Sequence, residues 1–190
     1  PLAIDPFLVP AFLVKDVSVI TSFTPCGWTI ETRVFPSDPR LAVNMGAALA
    51  EQGLYGAALA YYDVALMRDP NLKEAWNNKG RALNALKRPQ EALICLDKAL
   101  EIDPSYHAAW VNRGIALALL GRLEEALKSF DAAIDLDPND PKAWYNKGVA
   151  LLKLNRTQQA CQCAERALTL DPSYAEAKRL KETACHSTEP

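Results

Sequence analysis

The side chains that most often carry chemistry are sparse along this chain and poorly grouped. His107 and His186 are the only histidines, which leaves little material for histidine-based proton transfer or a His-rich metal site. The five cysteines are Cys26, Cys95, Cys161, Cys163 and Cys185, and an odd count without short regular spacing argues against a disulfide framework. Cys161 and Cys163, two apart on a helix, point their thiols to different faces, a poor chelate. Cys185 and His186 near the tail could meet Cys163, but no metal and no cofactor is expected. No nucleophile–base arrangement, phosphate loop or paired-carboxylate motif stands out, so the chain is not read as an enzyme. Asn155-Arg156-Thr157 matches the glycosylation acceptor pattern, which has meaning only if the chain is exported.

Composition narrows the partners. Of 190 residues 49% are apolar and 23% charged, and the net charge is −2, the profile of a folded chain without the positive field of a nucleic-acid binder. The longest apolar run is broken by Pro10 and stops at Lys15, too short to span a bilayer. No secretory signal is legible, yet the sequence starts at Pro1 and not Met, so both a cytoplasmic and an exported, processed chain stay open.

The strongest signal is a period. Pro36, Pro70, Pro104, Pro138 and Pro172 recur every 34 residues, as do Trp76, Trp110 and Trp144. So do Gly46, Gly80, Gly114 and Gly148, and the alanine columns Ala58, Ala92, Ala126, Ala160 and Ala65, Ala99, Ala133, Ala167. Within a unit, apolar residues step by three and four, the mark of amphipathic helices. The spacing predicts helices near 39–52, 55–69, 73–86, 89–102, 107–120, 123–136, 141–154 and 157–170, with a ninth pattern over 173–184. Gly53, Gly121 and Asn155 share the turn position, all types that tolerate positive φ, and Lys87 departs there. Asp38-Pro39 and Asp140-Pro141 read as an N-cap followed by a first-turn proline.

This Trp–Gly–Ala–aromatic–Ala–Pro pattern at 34 residues resembles the tetratricopeptide repeat. The resemblance implies an all-α, right-handed superhelical solenoid of antiparallel helix pairs, with units at 37–70, 71–104, 105–138 and 139–172 and a capping helix and tail at 173–190. It also implies a non-catalytic scaffold for a protein or peptide partner, gripped in a concave groove lined by the first helix of each pair. One helical position there becomes a ladder, and Asn44, Asn78, Asn112 and Asn146 are such a ladder. Asparagine both donates and accepts, which suits it to an extended peptide backbone; bonding to the adjacent helix explains the column equally well. Arg81, Lys142 and Tyr145 stand in flanking groove columns. Registered on the last three units, the carboxylate clamp of the chaperone-binding members is matched only at Asn112 and Lys142. Asn77, Arg81 and Asn146 stand where Lys, Asn and Arg would be needed, so chaperone-tail binding is not inferred. Cys161 falls in a column otherwise filled by Leu59, Leu93 and Leu127 and reads as a small core hydrophobe.

Residues 1–36 do not fit the array. Their prolines exclude a long helix, while Val17–Phe23 and Thr29–Phe35 flank a Thr24-Pro25-Cys26-Gly27 turn cluster and suggest a β-hairpin. The first repeat helix is apolar almost all round, with Met45 where later units carry Lys79, Arg113 and Lys147, so something must cover it. One candidate is this segment folded back on its own chain. The other is Phe7, Leu8, Val9, Phe12 and Leu13 docking with Met45 of another copy, which would make rings or filaments.

Overall fold

The computed structural model describes residues 20–24, 27–31 and 36–186. Among them are two strands, β1 (Ile20–Thr24) and β2 (Gly27–Glu31), then nine helices: α1 (Pro39–Glu51), α2 (Tyr55–Arg68), α3 (Lys73–Ala85), α4 (Pro89–Ile102), α5 (His107–Leu119), α6 (Leu123–Leu136), α7 (Pro141–Lys153), α8 (Thr157–Leu170) and α9 (Ala175–His186). The first eight helices lie within a residue of the spans that periodicity predicts. The strands pair antiparallel from Ile20 opposite Glu31 to Thr24 opposite Gly27, so the expected hairpin is present and takes in Thr24 and Gly27 of the turn cluster, while Val17–Val19 and Thr32–Phe35 lie outside the described residues.

Local chemistry sets the helix ends. The Asp38 and Asp140 carboxylates accept from the backbone N–H of Arg40 and Lys142, each at 2.8 Å, and Pro39 and Pro141 open the first turns. Each pair turns through one left-handed residue, Gly53, Lys87, Gly121 or Asn155. Around it two backbone hydrogen bonds close back into the helix, as in Arg122 N–H to Leu117 O and Gly121 N–H to Ala118 O. Lys87 adopts φ 60° although it carries a Cβ, so the stacked helices impose the turn that residue type disfavours.

Adjacent helices pack along the whole chain. In addition α1 touches α3, α3 touches α5, α5 touches α7 and α7 touches α9, whereas no two even-numbered helices meet among the described residues. The odd helices therefore crowd together on the inner side of a curved stack and the even ones fan out behind it. Close approach within a pair depends on the glycine column: a Cβ on Gly114 would lie 2.4 Å from the Phe130 ring, and one on Gly80 2.6 Å from Leu96. Each tryptophan indole donates to the carbonyl of the proline six residues before it, Trp76 to Pro70, Trp110 to Pro104 and Trp144 to Pro138, at 2.8–2.9 Å. That bond locks the inter-unit turn to the next helix.

Successive pairs are also joined by a repeated ion pair: Asp63–Lys79, Asp97–Arg113, Asp131–Lys147 and Glu165–Lys181, at 2.5, 2.7, 2.6 and 3.0 Å. Three of the four cations also lie over Trp76, Trp110 and Trp144, 5.6–5.7 Å from the ring centroids. These exposed pairs are worth at most about 1 kcal/mol each, but they fix register. Among the described residues no helix precedes α1 to supply the acid, and Met45 stands in this column. Leu41, Met45 and Ala48 form an exposed apolar stripe on α1.

Candidate binding groove

The inner surface is built from equivalent positions of α1, α3, α5 and α7, and the asparagine ladder lies along it. Its four rungs are not equivalent. Asn44 is exposed and has no side-chain partner among the described residues. Asn112 donates to the Oδ1 of Asn77 on α3 at 2.8 Å, and Asn77 donates to Asn78 at 3.4 Å. Asn146 turns back to the Lys142 carbonyl of its own helix at 2.9 Å. The middle of the groove is thus an internal polar network. Asn84, buried on α3, ties it to α5 by donating to the Asn112 carbonyl at 3.0 Å, while its own Oδ1 has no partner. Tyr106 joins on the other side; burial pushes its phenol above the usual range, and Lys73 and a hydrogen bond from Asn77 pull it down. Asn84 and Tyr106 were not singled out from the sequence.

At the N-terminal end, Arg40, Val43, Asn44, Leu72 and Glu74 line a cleft of about 290 Å³, with Val43 and Leu72 buried as its floor. Arg40, Arg81 and Lys142 are exposed and make no ion pair among the described residues. Arg81 lies beside the Tyr62 hydroxyl, whose pKa is raised by burial against the pull of this guanidinium. Tyr145 packs on Tyr174, ring centroids 5.2 Å apart, so this groove aromatic helps to hold α9. Burial, then the neighbouring Tyr145, Glu176, Asp140 and Asp171, push the Tyr174 phenol up to about 12.

The groove edge carries an acid-sensitive contact. Lys73 Nζ reaches Asp103 Oδ2 at 2.5 Å and lies 5.1 Å from the centre of the Tyr106 ring. Hydrogen bonds from Lys73 and Ser105 hold the Asp103 carboxyl at about 2 instead of 3.8. A depressed carboxyl stabilises the fold above its unfolded value and stops doing so as pH falls through its folded value. We expect a carboxyl titration by NMR to give a midpoint near 2 for Asp103 and Asp103→Asn to lose part of the acid dependence of stability. A midpoint at the ordinary value would contradict the contact.

The cysteines require a correction. Cys161 is not a simple core hydrophobe: it forms a disulfide with Cys185, joining α8 to α9 with Cα atoms 5.2 Å apart. Cys185 thus meets Cys161 and not Cys163, which is buried with its thiol pushed up by burial, as is that of Cys95. The signal was present in the columns. Cys161 follows Leu59, Leu93 and Leu127, and Cys185 follows Leu49, Leu83, Leu117 and Leu151. The later members of these columns cluster together, as Leu93, Leu117, Leu127 and Leu151 do, so a cysteine in each column meets its partner. Asn155 is exposed in the α7–α8 turn. Phe7, Leu8, Val9, Phe12 and Leu13 lie outside the described residues.

Profiles of the tetratricopeptide repeat match residues 28–73, 74–106, 95–128 and 141–174, and a TPR repeat profile matches 116–155, so together they run without a gap from 28 to 174. The chain belongs to the tetratricopeptide repeat family. A comparison with curated proteins finds no match. Among solved structures, the MamA RS-1 ArsTM double mutant aligns at TM-score 0.69 and 21% identity over 82% of this chain and 88% of that one. YrrB, a TPR protein with an unusual peptide-binding site, aligns at 0.53 and 24%, over 76% of this chain and 92% of that one. The first TPR of Spaghetti (RPAP3), bound to the HSP90 peptide SRMEEVD, aligns at 0.59 and 24%, over 60% and 91%. At these identities the likeness speaks for the TPR fold alone. Among the described residues no helix is long and apolar enough to cross a membrane.

Proposed function

We propose that the chain is a non-catalytic scaffold that holds an extended segment of a partner protein in its concave groove. The observation that carries this reading is the N-terminal cleft, where Arg40 and the exposed Asn44 stand over an apolar floor of Val43 and Leu72. Such a floor with a few polar groups suits a peptide side chain whose backbone is read from above. Arg40, Arg81 and Lys142 outnumber Glu74 at the groove positions without ion pairs, which favours an acidic segment. The Asn77–Asn112 side chains already bond to each other, which leaves the ends of the groove to do the binding. Two structural neighbours, YrrB with its unusual peptide-binding site and the first TPR of Spaghetti bound to an HSP90 peptide, agree with this use of the fold.

The test is a peptide selected against the chain from a random-sequence library and titrated onto variants. Arg40→Ala and Asn44→Ala should each weaken binding about 5- to 30-fold, since a lost hydrogen bond to a charged or exposed polar group costs about 1–2 kcal/mol. Asn112→Ala should lower stability more than affinity. Equal affinity for wild type and for the Arg40→Ala/Asn44→Ala pair would overturn the reading.

A second reading, self-assembly through residues 1–36, is favoured by the open apolar stripe Leu41, Met45 and Ala48 on α1. The exposed side of α9 carries Glu176, Lys178, Arg179, Glu182 and Thr183. A plain end-to-end stack is therefore poorly matched, and an arm would have to make the contact. Light scattering of the chain with and without residues 1–36 decides it: an unchanged mass in a truncated chain that still folds rejects assembly.

A further inference from the structure

The last interface of the stack is built differently from the others. Where earlier units place leucines that cluster together, α8 and α9 place Cys161 and Cys185. Where earlier units carry Asp63, Asp97 and Asp131, α8 carries Glu165, longer by one methylene and one helical turn beyond Cys161. Its carboxylate still holds Lys181, at 3.0 Å, the longest contact of that series. The two sulfurs and a Glu165 oxygen all lie within 4.8 Å of one another. All three residues are at least partly exposed, and a cleft of about 290 Å³ lined by Leu168, Lys178, Lys181, Glu182 and Cys185 opens beside them. Packing alone would be served by the leucine pair. Two soft sulfur donors and a carboxylate converging on one accessible point are ligands for a thiophilic cation.

We propose that Cys161, Glu165 and Cys185 form a redox-gated site for a thiophilic divalent cation such as Zn²⁺, closed while the disulfide stands and opened by its reduction. A thiol or phosphine reductant supplies two electrons, the S–S bond breaks, and each sulfur takes one proton. On metal binding both thiols release their protons to solvent, and the Glu165 carboxylate exchanges Lys181 for the cation. Two thiolates and one carboxylate on a doubly charged ion leave a net charge of −1, faced by the ammonium groups of Lys178 and Lys181. Three protein donors leave a fourth position of the tetrahedron for water or another donor. Either state, disulfide or metal, ties the capping helix to α8.

The test is titration of the phosphine-reduced chain with Co²⁺, followed by the near-ultraviolet thiolate-to-cobalt band, and displacement by Zn²⁺. The expected result is one equivalent bound in the reduced chain and no band in the oxidised one. Glu165→Gln, which exchanges a charged oxygen ligand for a neutral one, should weaken binding by at least about tenfold while keeping the band, since even the outer partners of metal ligands are worth about 10- to 100-fold. The control is Cys161→Leu/Cys185→Leu, which restores the leucine pair of the earlier units, so it keeps α9 docked by circular dichroism and gives no band. Absence of a band in the reduced wild-type chain overturns the proposal. So does a band of unchanged strength in the double-leucine chain, which would move the metal to Cys26, Cys95 or Cys163.

Discussion

Phe130→Ala should cost about 3–5 kcal/mol of stability, read as a lower urea midpoint, because a ring only 1% exposed is removed from the middle of the stack. The companion change is more diagnostic. Gly114→Ala places a methyl 2.4 Å from Phe130 Cε1 and 2.7 Å from Cδ1, an overpacking that costs about 1–3 kcal/mol or more. It does so despite the gain of about 1 kcal/mol that alanine brings to a helix interior. In the Phe130→Ala background the ring is gone and only the helix gain is left. Gly114→Ala should therefore change sign and stabilise that variant by up to about 1 kcal/mol. The cycle measures the contact that lets α5 and α6 approach. A Gly114→Ala cost that is the same in both backgrounds would mean that the glycine column exists for some other reason.

Leu180→Ala should cost about 2–5 kcal/mol, and the loss should be confined to one end of the molecule. Helix α8 carries Ala164 where α2, α4 and α6 carry Tyr62, Leu96 and Phe130. The space over Gly148 is taken instead by Leu180 from α9, 2.8 Å from where a Cβ on that glycine would lie. Leu180 also occupies the asparagine-ladder column, so the ladder ends in an apolar plug that belongs to the cap. In a stack whose units touch only their neighbours, the damage stays local. Hydrogen exchange should quicken in α9, α8 and α7 and stay at the wild-type rate in α1 to α4. Uniform acceleration along the chain would show a single cooperative core and contradict the nearest-neighbour picture.

Most of the fold was legible because the stack repeats one solution, so a residue required by geometry recurs every 34 positions. The glycines at 46, 80, 114 and 148, the three tryptophans and Pro70, Pro104 and Pro138 are such residues, and the structure gives each a contact. What escaped the sequence are pairings between columns. Asn77 and Asn112 sit in different columns and meet only because α3 and α5 lie side by side. Cys161 and Cys185, 24 residues apart, meet for the same reason across α8 and α9. Lys87 escaped in another way: its turn is set by the helices on either side, which override a side chain that disfavours positive φ. At the hairpin turn the strands run on into Thr24 and Gly27, because β-branched runs alone do not fix strand limits.

The groove was legible as a face but not as a site. Equal spacing made Asn44, Asn78, Asn112 and Asn146 look equivalent, whereas their neighbours make Asn112 a strut, Asn146 a helix-internal bond and Asn44 a free amide among the described residues. That inequality moves the expected binding towards the Arg40–Asn44 end.

We propose that this chain holds a partner segment on its inner surface. The most direct measurement is the change in backbone amide shifts when a library-selected peptide is added to labelled protein. Shifts should concentrate on α1 and α3 around Arg40, Val43, Asn44 and Glu74, with α2, α4 and α6 unmoved. Shifts gathered on the even helices, or on the exposed side of α9, would contradict it.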